Sequence, residues 1–193
     1  MDKGFLFNVK TLITNPRSIT IDYILGKRKG ILNPISFLIF SITLYLIVIT
    51  LFKVPREVVE ANDIKMSGLR KASYNLGLFI RAHIKYFWIL TIFPLATSLK
   101  LVFKRFNYIE HLAISSFVMG QATLLGIASY LIFRIPLILD PIVYLLILWL
   151  CYRIFRSKDD KMETVLLSLT ALMLFVIQLL LILGIIGAIN YYY

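Results

Sequence analysis

Glu110 and His111 are the only acid and imidazole that stand side by side in this chain. A carboxylate next to a histidine at the mouth of an apolar segment could carry protons or hold a metal. The plainer reading is an interfacial ion pair with Lys104 or Arg105, with Glu110 as an acid favoured by a helix N-terminus. His83 is the only other histidine, and Cys151 is the only cysteine. An intramolecular disulfide and a cysteine-built metal site are therefore excluded, and Cys151 reads as a small hydrophobe inside an apolar block. No Walker A, H-E-x-x-H or G-x-S-x-G motif occurs. The GKRKG run contains Lys27, Arg28 and Lys29 between glycines but lacks the loop and hydroxyl of a phosphate-binding P-loop. It reads as a basic cluster for anionic lipid or an anionic partner. No cofactor, no metal and no enzymatic activity are expected.

The residues that could do chemistry are few because most of the chain is apolar. Hydrophobic residues make up 60% of it, and the mean hydropathy is +0.85. Ile35–Phe52, Phe87–Leu99, His111–Phe133, Ile135–Tyr152 and Val165–Ile189 are long apolar blocks bounded by charges. Crossing ~30 Å of hydrocarbon takes about 20 mostly apolar residues. In lipid each crossing must satisfy its own backbone polar groups, which makes such blocks helices. The expected fold class is all-α: a polytopic membrane helix bundle of about five spans, preceded by short amphipathic helices. Residues 1–193 form a single membrane domain with helices over 34–52, 84–103, 110–133, 136–153 and 164–189, and residues 1–33 are a cytoplasmic, amphipathic, basic segment. The first block is too long for a cleavable signal and no small-residue cleavage site follows it, so it reads as an uncleaved signal anchor.

The net charge is +11, and lysines and arginines at helix ends set membrane orientation. Lys3, Lys10, Arg17, Lys27, Arg28 and Lys29 precede the first block. Lys100, Lys104 and Arg105 follow the second, and Arg153, Arg156, Lys158 and Lys161 follow the fourth. The turn between the third and fourth blocks has only Arg134 and Asp140. The positive-inside rule then gives a multi-pass protein of a bacterial inner membrane, with a cytoplasmic N-terminus and an external C-terminus. The basic stretch between Lys53 and Lys85 conflicts with that count. Pro94 also interrupts the short second block, and a re-entrant second block would leave four crossings with both termini inside.

Along the chain, Asn15-Pro16 and Asn33-Pro34 mark helix starts, and Gly26 suits a C-terminal cap. Apolar residues recur at helical spacing from Leu69 to Phe87. The third block carries small residues at Ala113, Ser116, Gly120 and Thr123, and again at Ala122, Gly126 and Ser129. Such ridges let helices approach closely. Gln121 near its middle, like Gln178 in the fifth block, should face a neighbour or a wet cavity. Ser116, Gly120, Gln121, Thr123 and Gln178 are thus candidates for a pore lining or for helix packing. Tyrosines 191–193 suit an interfacial belt.

The run GFLFNVKTLITNPRSITIDYILGKRKGILNPISFLIFSITLY and the later NYIEHLAISSFVMGQ are similar to a Bacteroidota membrane-protein family of unknown function. That family pairs an N-P…G-K-R…N-P element with a Y-x-E-H-L…G-Q segment. The pattern falls on Asn15, Pro16, Gly26, Lys27, Arg28, Pro34, Tyr108, Glu110, His111, Leu112, Gly120 and Gln121. The zinc-ribbon cysteine pair with which many members begin has no counterpart here. In size, span count and basic character the chain also resembles the small membrane accessory proteins of type VI-B CRISPR loci, which accompany an RNA-guided RNA nuclease. Arg105 and His111 match the loose R-x(4–6)-H spacing of HEPN ribonucleases, but such a site needs a paired copy on a soluble bundle.

These readings lead to a non-enzymatic integral membrane protein. The polar, small-residue third block with Gln121 and the basic surfaces near Lys27–Lys29 and Lys104–Arg105 point to an oligomeric, channel-like effector or regulator working with a cytosolic partner. The resemblance to the CRISPR accessory proteins implies that this partner is an RNA-guided nuclease complex in antiviral defence. Its other expected partners are membrane lipids and further copies of itself, and direct nucleic-acid binding is not expected. The competing readings are a small-solute transporter, a membrane scaffold, and an intramembrane enzyme using Glu110 and His111.

Overall fold

The computed structural model describes residues 4–52, 74, 77–78, 87–156 and 160–192. His83, Lys158 and most of the basic stretch after Lys53, with the helix expected over Leu69–Phe87, lie outside the described residues, as do the side chains of residues 190–193.

Every element among the described residues is a helix. In chain order these are α1 (Gly4–Thr14), α2 (Pro16–Ile24), α3 (Pro34–Leu51), α4 (Ile92–Val102), α5 (Tyr108–Phe133), a 3-10 turn (Leu137–Leu139), α6 (Pro141–Phe155) and α7 (Lys161–Tyr192). One local device starts three of them. Asn15, Asn33 and Asp140 each precede a proline at the first helical position, where a missing N–H costs nothing. Their side-chain oxygens accept the N–H of Ser18 at 3.4 Å, Ile35 at 3.0 Å and Ile142 at 2.9 Å, satisfying donors the helix itself leaves orphaned. α2 ends as expected, with Gly26 in the left-handed region at φ +84°.

Three helices, α3, α5 and α7, are long and apolar enough to cross a membrane. The other two apolar helices are shorter. α6 has 15 residues, about 22 Å of helix. The block expected over 136–153 starts only at Pro141, because Pro136 and the 3-10 turn keep the chain out of a helix until Asp140 caps it. Of the block expected over 84–103, the described part is a short apolar helix over Phe87–Val102 with one irregular residue at Thr91. Pro94 leaves the Leu90 carbonyl without its helical donor, and separately the Thr91 hydroxyl donates to the Trp88 carbonyl at 2.6 Å.

α5 is the central element: 61% of its most apolar window is buried, against 11% for α7. α3 packs along one side of α5. α4 and α6 flank it, and α7 closes a four-helix ring by packing on α4 and α6. Contacts at the two ends fix the helix directions. At one end the Phe103 ring stacks on Phe155 at 4.0 Å, and His111 sits beside both Phe106 and Phe155. The end of α4, the start of α5 and the end of α6 therefore meet there. At the other end Arg134, after α5, donates to the carbonyl of Phe52, after α3, at 3.3 Å. Helices α3 to α7 thus alternate in direction.

The N-terminal pair α1–α2 is seated at the first of these ends. Leu12 and Ile19 are fully or almost fully buried in a cluster with Phe37 of α3 and Phe117 of α5. Arg153 donates to the Thr14 carbonyl at 2.8 Å, and Arg17 donates to the Arg156 carbonyl. Asn8, also fully buried, donates to the Gly4 carbonyl at 2.9 Å and accepts the Leu32 N–H at 3.2 Å. It ties α1 to the strap that leads into α3.

Candidate functional site

α5 carries most of the polar residues singled out above, and it sends them in different directions. Glu110 turns back to its own helix start and accepts the Asn107 N–H at 2.7 Å. This carboxylate is an N-terminal cap, as the dipole favours. His111, one residue on, points into the bundle and is fully buried. Its Nε2 lies 2.9 Å from the Phe103 carbonyl. A carbonyl only accepts, so Nε2 carries the proton and Nδ1 is left as an acceptor without a partner. Glu110 and His111 do not converge, and among the described residues no ion pair joins Glu110 to Lys104 or Arg105. Arg105 lies over the Phe106 ring at 5.5 Å.

The two small-residue ridges are both occupied by neighbours within the same chain. A Cβ on Gly120 would stand 2.7 Å from Phe37 Cδ1 and 3.3 Å from the Leu38 Cα, so this glycine admits α3. A Cβ on Gly126 would collide with Leu137 and come within 2.9 Å of Val143 Cγ2, so that glycine admits the 3-10 turn and α6. Ser116 is buried and donates to the Leu112 carbonyl at 2.8 Å. Thr123 accepts the indole N–H of Trp88 at 2.7 Å and donates to the Met119 carbonyl at 2.7 Å. Of the residues considered for a pore lining, Ser116, Gly120 and Thr123 are therefore engaged in packing or hydrogen bonding inside one subunit.

Gln121 is fully buried, and neither its amide oxygen nor its amide nitrogen has a hydrogen-bond partner. Gln178 differs: it is half-buried on α7, beside the exposed Ile177, Leu181 and Ile182. Asp140 is fully buried. One oxygen caps α6 and the other has no partner. Near it Tyr45 packs edge-on against Tyr130 at 5.8 Å.

The basic residues form the second group. Lys27 pairs with Asp22 at 3.4 Å, and Arg28 lies over the Tyr23 ring at 5.1 Å. Lys27, Arg28 and Lys29 follow α2, which is held against the end of α6 by Arg17 and Arg153. Lys104 and Arg105 lie in the α4–α5 turn at that same end, and Lys100 donates to the Phe106 carbonyl there at 2.7 Å. At the opposite end, among the described residues, Arg134 and Asp140 are the charged side chains. The basic clusters that are separate in sequence lie at the same end of the bundle in the fold.

Sequence reasoning missed Asn8, Asp22 and Trp88. Asn8 has a visible signal, a lone amide on the apolar side of α1. The Trp88–Thr123 pair has none, because its members are 35 residues apart.

The fold thus defines an all-helical protein with three membrane-compatible helices and one basic end. The family model described as a protein of unknown function (DUF3667) matches residues 2–46, so α1, α2, the basic strap and most of α3 are similar to that family. No curated protein and no solved structure matches the chain.

Proposed function

We propose that this chain is a non-enzymatic, five-crossing membrane protein that presents its basic end to the cytoplasm. There it acts as a membrane-embedded regulator or effector for an anionic cytosolic partner. The observation that carries this reading is the gathering of Lys27, Arg28, Lys29, Lys104, Arg105, Arg153 and Arg156 at one end of the bundle. The alternating directions of α3 to α7 support five crossings over four. Positive-inside orientation then puts the basic end in the cytoplasm of a bacterial inner membrane. An RNA-guided nuclease complex is a partner of the right charge, and the resemblance to CRISPR accessory proteins is the reason to test it first.

A channel-like activity, within this reading, belongs between copies of the chain. The interior of one bundle is filled by Trp88, Phe117, Met119 and Phe175, whereas α7 carries a long exposed apolar face from Val165 to Ile189 with Gln178 on it. Dye and ion leakage from liposomes, with and without the partner, is the test. Conduction between copies predicts leakage that changes with Gln178→Leu and is insensitive to Gln121→Leu. Tight vesicles under every condition overturn the channel and leave a docking scaffold.

A further inference from the structure

The N-terminal helices enclose a cleft of about 230 Å3 lined by Phe7, Thr11, Ser18, Ile19, Asp22, Lys27, Lys29 and Ile31. Its chemistry is divided. Phe7, Ile19 and Ile31 make an apolar wall, and the hydroxyls of Thr11 and Ser18 donate to the Phe7 carbonyl and to Asp22. Two lysines stand against a single carboxylate, Asp22, which is already shared between Lys27 and the Ser18 hydroxyl. Arg28 is held beside the cleft over Tyr23. The loop that carries the cations has a defined shape. Gly26 and Gly30 bracket it in the left-handed region at φ +84° and +80°. The Lys27 N–H is bonded to the Asp22 carbonyl at 2.9 Å, and the Ile31 N–H to the Arg28 carbonyl at 3.1 Å. The lysines are therefore presented from an ordered turn.

The surroundings of the cleft point to its occupant. Leu6 and Leu25 are 80% and 66% exposed on α1 and just after α2. Apolar side chains so exposed on short helices suit insertion at the headgroup–acyl boundary. Phe5 of α1 packs against Phe40, a half-exposed residue on the flank of α3, with ring centroids 4.4 Å apart. Phe40 is six residues into α3, so α1 reaches about 9 Å along it. Amphipathic helices at an interface sink roughly 5–10 Å, so the two depths agree.

We infer that this cleft binds the phosphate of an anionic phospholipid headgroup, with Lys27 and Lys29 as its cations and the Phe7–Ile31 wall against the start of the acyl chains. All eight lining residues fall within the stretch that matches the family of unknown function. The inference rests on the membrane reading above, and recovery of the chain in washed membranes tests that reading separately.

The experiment is native mass spectrometry of the full chain purified in detergent, titrated with phosphatidylglycerol or with phosphatidylcholine. A Lys27→Ala/Lys29→Ala variant is compared with a Lys10→Ala/Lys161→Ala control, two exposed lysines outside the cleft. Each lysine near an anionic surface is worth a factor of about five, so the cleft variant should bind phosphatidylglycerol about thirtyfold more weakly. The control should bind as the unaltered chain does, and phosphatidylcholine should be retained less than phosphatidylglycerol by both. In parallel, phosphatidylglycerol should raise the melting midpoint of the unaltered chain and leave that of the cleft variant unmoved, a readout made against each variant's own baseline. Equal retention by the cleft variant and the control overturns the site. Equal retention of the two lipids overturns the phosphate–cation chemistry. Displacement of the lipid by inorganic phosphate overturns the lipid as source in favour of a soluble phosphate.

Discussion

Gln121 and Thr123 are two residues apart on α5 and belong to opposite energetic situations. Thr123 satisfies a buried indole N–H. Thr123→Val leaves that donor unpaired at similar volume, which costs about 1–3 kcal/mol, so the melting midpoint should fall. Gln121 has two unpartnered amide atoms in full burial, and Gln121→Leu removes that burden and should leave the midpoint unchanged or raised. A midpoint that falls with Gln121→Leu would mean that the amide has a partner of its own. Gly120→Ala should cost about 1–3 kcal/mol by overpacking Phe37 and the Leu38 backbone. The type and spacing of these residues were legible in the sequence; their direction was not. A hydropathy pattern is nearly uniform around a helix buried on most sides, so it does not tell the Gly120 face, taken by α3, from the Gly126 face, taken by α6. Nor does adjacency in sequence tell that Glu110 and His111 diverge, since neighbours on a helix lie about 100° apart.

At the scale of elements, the starts of α2, α3 and α6 were written in their Asn-Pro and Asp-Pro pairs, two of which could be read directly. The packing of α1 and α2 onto the bundle was less legible, because Leu12 and Ile19 look alike whether they face lipid or Phe37 and Phe117. The seat depends on Arg153 and Arg17, whose contacts with Thr14 and Arg156 each span 139 residues of sequence. Arg153→Ala together with Arg17→Ala should loosen α1–α2 while α3 to α7 stay folded. Hydrogen exchange should then rise at residues 4–32 and remain unchanged across α5. Exchange at residues 4–32 unchanged from that of the unaltered chain would show that the Leu12–Ile19–Phe37–Phe117 cluster holds the pair by itself.

For the whole molecule, the account stands on two properties: helices α3 to α7 alternate in direction, and the basic side chains collect at one end. Charge counting anticipated the second, because like-charged loops repeat with every second crossing. The short α4 and α6 obscured the first. At about 22 Å, α6 falls below the length of a straight crossing, and both short helices pack against the longer α5 and α7. The decisive measurement is the sidedness of the two ends. Cys151 is the only cysteine and is buried, so Cys151→Ser provides a background for single Lys104→Cys and Arg134→Cys variants. Each is labelled with a membrane-impermeant thiol reagent in intact cells and in inverted vesicles. The account predicts that Lys104→Cys reacts only in inverted vesicles and Arg134→Cys only in intact cells. Labelling of both positions from the same side would contradict it.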